Sequence, residues 1–325
     1  MPDSSSVATN PPMTVRTHVQ PKQLHERLIQ ATKKGLETQS LVPLSTTYTH
    51  LEDQGTAFVV RTLQNIQKKE ATRAIQVANK EAPRPAFNPF LPYEPNLFVG
   101  DICETHAVVL NKFKVVDHHA LIITRDFQSQ LDYLTHDDWV ALLLCLEGLD
   151  GLAFFNGGEE AGASQPHKHL QFVPLPMTPE APEPRLPIEP LMSDLPQQPN
   201  LNPVGTFPFV HAAVSMAHTW KLTSKERASH WTNTYNKLLQ LTHLWKPSAT
   251  QPTPQGRQQA PYNMLATREW MMLVPRRCEF YESISVNSLG FVGALLVKHE
   301  EAMNTLQRKG PWNLLHHVGV PKEEG

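Results

Sequence analysis

Cysteine is scarce in this chain. Cys103, Cys145 and Cys278 are the only three in 325 residues, and an odd number at wide spacing argues against a disulfide framework and against a Cys-x-x-Cys zinc site. Such usage fits a reducing compartment. Excess charge is missing as well: a formal net charge of -2 leaves no basic footprint, so nucleic acid is not the expected partner. No run approaches the roughly 18 consecutive apolar residues of a membrane span, and the N-terminal "MPDSSSVATNPPMT" has neither an apolar targeting core nor an Arg-rich amphipathic pattern. Glycine is sparse beside proline, 15 against 29, which points to long irregular connections. These absences leave a soluble, cytoplasmic protein without a membrane partner, whose ligand is small; a monomer is expected.

What is present suffices for a full core. Residues 1–22 have the Ser, Pro, Thr and Asn content of a disordered tail; residues 23–325 are predicted as a single α+β domain. The spacing of Leu24, Leu28, Ile29 and Leu36 predicts a helix, and "QNIQKKEATR" near residues 64–73 reads as a solvated helix or loop. "HAVVLNKF" and "ALIITRD" are β-branched runs that predict a hairpin, with Asp117, His118 and His119 in the turn. "THDDWVALLLCLEGLDG" predicts a helix capped by Thr135 with Asp138 three residues on. Strands "LAFFN" and "HKHLQFVPL" follow, an order that favours an antiparallel sheet with a helix packed on one face. This core spans about 88–176. Residues 176–208 carry too many prolines for a helix or a central strand and are expected to wrap outside as an extended excursion. "KERASHWTNTYNKLLQLTHLW" predicts another helix. Near the C-terminus, about 262–325, "YNMLATREWMMLVPR" and "YESISVNSLG" read as two strands and "FVGALLVKHEEAMNTLQ" as a helix that complete the fold.

The chemistry concentrates in "NGGEEAGASQPHKHLQ". On a strand, His167, His169 and Gln171 line one face while Lys168 and Leu170 point to the other. Zinc would need a third and fourth ligand, and no cysteine or acidic residue lies at the usual spacing. A catalytic reading makes one imidazole a nucleophile or base beside donors for an anion. Those donors are Asn156, the backbone amides around Gly157, Gly158, Gly162 and Ala163, and the side chains of Ser164 and Gln165, which together form a candidate phosphate cradle. On chemistry alone Arg268, Arg276 and Arg277 are candidate phosphate clamps.

This stretch resembles the histidine-triad superfamily, in the branch with glutamine at the third position, His-x-His-x-Gln, which holds nucleotidyltransferases. With "NPFLPYEPNLFVGD", "LNKFKVVDHHALIITRDFQSQ" and "YNMLATREWMMLVPR", the chain from about 56 to 320 resembles the ATP adenylyltransferase family, also called diadenosine tetraphosphate phosphorylase. The resemblance implies a histidine-triad-like antiparallel sheet with packed helices, elaborated by N- and C-terminal segments. It implies that His169 attacks the α-phosphorus of the dinucleotide, releases ATP and carries AMP until inorganic phosphate removes it as ADP. His167 would orient or protonate the phosphates, and Gln171 would donate a hydrogen bond without serving as a general acid. It further implies that Lys68, Leu110, Asn111, Asn287, Ser288, Leu289, Ala294 and Lys298 bind substrate. No protein-held structural metal is expected, although a divalent cation, magnesium, is expected on the substrate phosphates. Two other readings stay open: a hexose-1-phosphate uridylyltransferase-like enzyme, whose usual His-Pro-His core would need proline where Lys168 stands, and a dinucleotide-binding sensor without turnover.

Overall fold

The computed structural model describes residues 18–63, 88–178 and 184–322. A nine-stranded sheet is built from β3 Phe98–Asp101, β4 His106–Leu110, β5 Ala120–Thr124, β6 Gly151–Gly157, β7 His169–Pro174, β8 Asn200–Leu201, β9 Ala212–Ser215, β10 Tyr262–Ala266 and β11 Trp270–Pro275. Their order across the sheet is β8-β9-β11-β10-β6-β7-β5-β4-β3, and every neighbouring pair is antiparallel. The predicted hairpin pairs as His106 opposite Thr124 through Leu110 opposite Ala120. In register terms, Ile123 faces His169 and Leu121 faces Gln171 across β5 and β7.

Alternation sorts the sheet residues between two faces. Val108, Ile122, Phe155, Leu170, Phe172, Met264 and Leu273 point to one side, where they pack with α1 Leu24–Glu37, α2 His136–Gly148 and α3 Ser224–Leu241. The rings of Trp139 and Trp231 meet there with centroids 5.9 Å apart. Burial of such side chains stabilises the layer by roughly 1.5–3 kcal/mol each. His169 and Gln171 alternate with Leu170 and Phe172 and so stand on the opposite face. On that face Leu152, Phe154, Val173, Leu265 and Met272 lie against a smaller sheet and two helices. The smaller sheet joins β1 Thr46–Asp53, β2 Thr56–Leu63 and β12 Ala294–Val297; the helices are α4 Glu300–Lys309 and α5 Pro311–Val318.

Several expectations need correction. Residues 18–22, assigned to the tail, are packed: the Val19 amide donates to Asp101 O at 2.7 Å and its side chain is buried. "YNMLATREWMMLVPR" is two strands, because the chain reverses at residues 267–269 and lets Met264 face Leu273. "FVGALLVKHEEAMNTLQ" is not one helix. Gly293, at φ 87°, ends a 3-10 turn over Ser288–Val292, after which Ala294–Val297 pairs in parallel with β2 and only Glu300–Lys309 is helical. "YESISVNSLG" adds no strand to the large sheet; it makes a two-residue hairpin pair and then the 3-10 turn. The proline-rich excursion does not simply wrap outside, since Leu186, Ile188, Met192, Val204 and Phe207 are buried in the core of the second face. Prolines deny that segment a ladder, not burial.

Candidate active site

His169 opens β7 and is 4% exposed. Its ring Nδ1 lies 2.9 Å from the carbonyl of His167, an acceptor, so Nδ1 carries the proton and Nε2 keeps its lone pair. The sequence did not reveal that partner. Burial pushes the His169 pKa down to about 4, so the ring is neutral at pH 7. A neutral imidazole with a free nitrogen is the nucleophilic form.

The other two motif residues have their hydrogen bonds fixed by backbone groups. Phe90 N–H donates to Asn88 Oδ1, which leaves Asn88 Nδ2 to donate to His167 Nδ1 at 2.8 Å. His167 Nε2–H then donates to the Thr124 carbonyl at 2.8 Å. Burial lowers its pKa also, and the Phe90 ring packs against both His167 and His169. His167 therefore spends both nitrogens on the protein, which fits the orienting part of its expected role and provides no proton for a leaving group. A second relay ends at Gln171. Phe113 N–H donates to Asn111 Oδ1, Asn111 Nδ2 to His119 Nδ1 at 3.2 Å, and His119 Nε2–H to Gln171 Oε1 at 2.8 Å. The relay occupies Gln171 Oε1 and leaves its NH2 free to donate. His119, assigned to a turn from the sequence, is instead 8% exposed with burial pushing its pKa to about 4. The available signal was its phase: it lies two residues before Leu121, on the face of Gln171.

The glycine loop is only partly the cradle that was expected. The amides of Gly162 and Ala163 are used inside it, donating to Glu159 O at 2.8 Å and Gly158 O at 3.0 Å. Those of Ser164 and Gln165 have no hydrogen-bond partner among the described residues. Gly162 takes φ 87°, and a Cβ there would stand 2.7 Å from Asn287 Cβ, so a side chain would push the loop off the 287–289 segment. That segment joins the site through Asn156, which is 1% exposed. Asn156 Oδ1 accepts from Ser288 N–H at 3.1 Å, Ser288 Oγ at 2.7 Å and Asn263 Nδ2 at 2.9 Å. Its Nδ2 is a buried donor with no partner among the described residues, a group that an acceptor from outside the chain, on a ligand or an ordered water, would satisfy.

Two of the remaining candidates adjoin these groups, Asn111 through His119 and Asn287 beside Gly162. Leu110 is buried at the end of β4 and Asn111 is committed to His119 and Phe113. Asn287 Oδ1 caps the 3-10 turn through Leu289 N–H at 3.0 Å. Ala294 begins β12, and Lys298 is exposed just beyond its end. Lys68 lies outside the described residues. Two of the three arginines are committed to backbone and core groups: Arg268 donates to Leu146 O and Glu147 O. Arg276 is 3% exposed and gives its donors to Asn263, Val318, Cys278 and Val286, while Arg277 faces His317. Among the described residues no group of three His, Cys, Asp or Glu is arranged to hold a metal ion, and no helix is long and apolar enough to cross a membrane.

An antiparallel sheet that carries His-x-His-x-Gln across the start of one strand, beside a glycine loop, defines a class, the histidine-triad-type nucleotidyltransferases. Two family descriptions match the chain: Ap4A phosphorylase N-terminal domain over residues 14–194 and ATP adenylyltransferase C-terminal domain over residues 205–321. The chain belongs to the Ap4A phosphorylase family and is a transferase. Protein APA1 of Saccharomyces cerevisiae is 27% identical over 243 residues, covering 70% of this chain and 73% of that protein. Diadenosine 5',5'''-P1,P4-tetraphosphate phosphorylase 2 of the same yeast is 28% identical over 251 residues, covering 70% and 74%. The crystal structure of yeast Ap4A phosphorylase Apa2 shares the fold, with a TM-score of 0.70 at 22% identity over 96% of this chain and 97% of that one.

Proposed function

We propose that this protein cleaves diadenosine tetraphosphate with inorganic phosphate to give ATP and ADP, reversibly, through an AMP group carried on His169. In the first step a bond forms between Nε2 and the α-phosphorus while the bond from that phosphorus to the departing ATP oxygen breaks. In the second an oxygen of inorganic phosphate bonds to the same phosphorus, the Nε2–P bond breaks, and the proton stays on Nδ1 throughout. The observation that carries this reading is the Nδ1–H to His167 carbonyl bond of 2.9 Å on a ring whose pKa lies near 4. It presents a neutral nitrogen without any prior proton transfer. His167 orients that carbonyl. Gln171 and the unpartnered Asn156 Nδ2 donate to phosphate oxygens, together with the amides of Ser164 and Gln165.

Lys68 and Lys298 complete the reading as countercharges to the polyphosphate, with Leu110, Asn111, Asn287, Ser288, Leu289 and Ala294 shaping the nucleoside contacts. Magnesium would arrive on the substrate phosphates, where it would offset their charge. Residues 23–325 act as one domain and as a monomer. Three unpaired thiols support a cytoplasmic setting. The test is incubation with α-labelled dinucleotide in the absence of phosphate. Acid-labile, base-stable label on the parent protein and none on His169→Ala is the expected result. Labelling of His169→Ala would place the nucleophile elsewhere, and tight dinucleotide binding without label or turnover would make the protein a sensor.

A further inference from the structure

β6 and β7 are paired only in part. Gly151 to Phe154 face Pro174 to Gln171 in regular register. Beyond that point both strands continue, yet they no longer pair with each other: Phe155–Gly157 pair only with β10, and His169–Leu170 only with β5. The side chain of Gln130 occupies the split. Its Oε1 accepts from the backbone N–H of His169 at 2.8 Å, and its Nε2 donates to Asn156 O at 2.8 Å and to His169 O at 3.3 Å. The residue is 2% exposed, and its own backbone N–H is tied to Pro166 O at 2.8 Å.

A continued ladder would satisfy the same backbone groups, but it would bring the two strands to the usual spacing of about 4.7–4.9 Å. A carboxamide spans a wider gap, so the split stays open at the end of β7 where His169 stands. It also links the two residues that the transfer step uses, the nucleophile and Asn156, through one rigid planar group. We infer that Gln130 is a positioning residue for nucleotidyl transfer, holding the His169 backbone at a fixed distance from that of Asn156 across the open split. The inference rests on the covalent reading of His169.

Gln130→Met keeps the volume and removes all three hydrogen bonds; Gln130→Glu keeps an acceptor for His169 N–H and loses the donor to Asn156 O. For each variant the thermal midpoint, kcat, KM for the dinucleotide and the single-turnover rate of label transfer without phosphate are measured. A displacement of about 1 Å at a reacting centre lowers the rate on the order of 100-fold. Gln130→Met is therefore expected to remain folded, keep KM within about threefold, and lose on the order of 100-fold in both kcat and labelling rate. Gln130→Glu is expected to show the same split to a smaller degree, and it decides the matter if Gln130→Met does not fold. A purely structural role would lower the thermal midpoint and the active fraction with no separation of kcat from KM. That outcome, or labelling within about threefold of the parent, overturns the inference. Failure of the covalent reading looks different, because the parent itself would then take no label on His169.

Discussion

Asp138 is the perturbation with the largest calculable effect on stability. It is fully buried and gathers four donors: His106 Nε2 at 2.9 Å, Lys168 Nζ at 3.3 Å, and the Thr135 amide and hydroxyl at 2.6 and 2.9 Å. Burial alone would raise its pKa, but the His106 hydrogen bond and the Lys168 charge outweigh that and lower it. Asp138→Asn preserves the shape and removes the charge. Lys168, 1% exposed, would then have no countercharge and only neutral acceptors, among them Gln128 Oε1 at 2.9 Å and Tyr133 O at 3.1 Å. Donors approach both carboxylate oxygens, so the amide NH2 must meet at least one of them whichever way it turns. Removing one partner of a buried ion pair costs about 3–5 kcal/mol. For 325 residues the unfolding entropy is about 0.7 kcal/mol/K, so the midpoint should fall by roughly 4–7 °C. The assay is thermal and denaturant unfolding at pH 7 of Asp138→Asn, Lys168→Met and the double variant, with the double recovering about 2 kcal/mol relative to the sum of the singles. An Asp138→Asn variant within about 1 kcal/mol of the parent, or strict additivity in the double, would refute the reasoning.

Stability should peak near pH 6.5. Burial holds His119, His169 and His211 near pKa 4, so between pH 6.5 and 4 the unfolded chain binds protons that the folded one refuses, and stability falls by up to about 3 kcal/mol per histidine. His106 acts in the opposite direction: burial opposes its charge, but Asp138 and Cys103 raise its pKa to about 9, so its contribution is complete below pH 6.5 and lost as pH rises to 9. Urea midpoints that change monotonically from pH 5 to 8.5 would contradict this balance. His167→Ala should slow phosphorolysis on the order of 100-fold, the cost of a misplaced reacting group, without abolishing label transfer to His169, as read by separating ATP and ADP after limited turnover; a rate equal to that of His169→Ala would refute the assignment of His169 as the nucleophile and His167 as its orienting group. Gln171→His should raise the ratio of hydrolysis to phosphorolysis, measured as AMP against ADP, because imidazole can exchange a proton where the amide only donates a fixed hydrogen bond.

The sequence made the local features legible. The Thr135 and Asp138 capping box is present as expected, with Asp138 N–H donating to Thr135 Oγ1 at 3.4 Å, and the His106–Thr124 hairpin followed from its β-branched runs. Its failures occur where distant residues decide. Ala294–Val297 has a composition that suits a helix, yet parallel pairing with β2 makes it a strand. The roles of His119 and Gln130 depend on partners 52 and 39 residues away, which no local pattern encodes. Arg276 looked like a phosphate clamp because its burial and its hold on Asn263 are visible only in three dimensions.

The Asn156 carboxamide is held from Asn263 and Ser288, residues 107 and 132 positions further along the chain. A ribosome therefore delivers His169, the proposed nucleophile, long before the residues that orient the Asn156 side chain. Until residue 288 has emerged and docked, a nascent chain contains His169 without the clamp around Asn156. Fragments cut between residues 194 and 205, at the seam between the two family matches, should be inactive apart and regain transfer only when the two pieces reassociate.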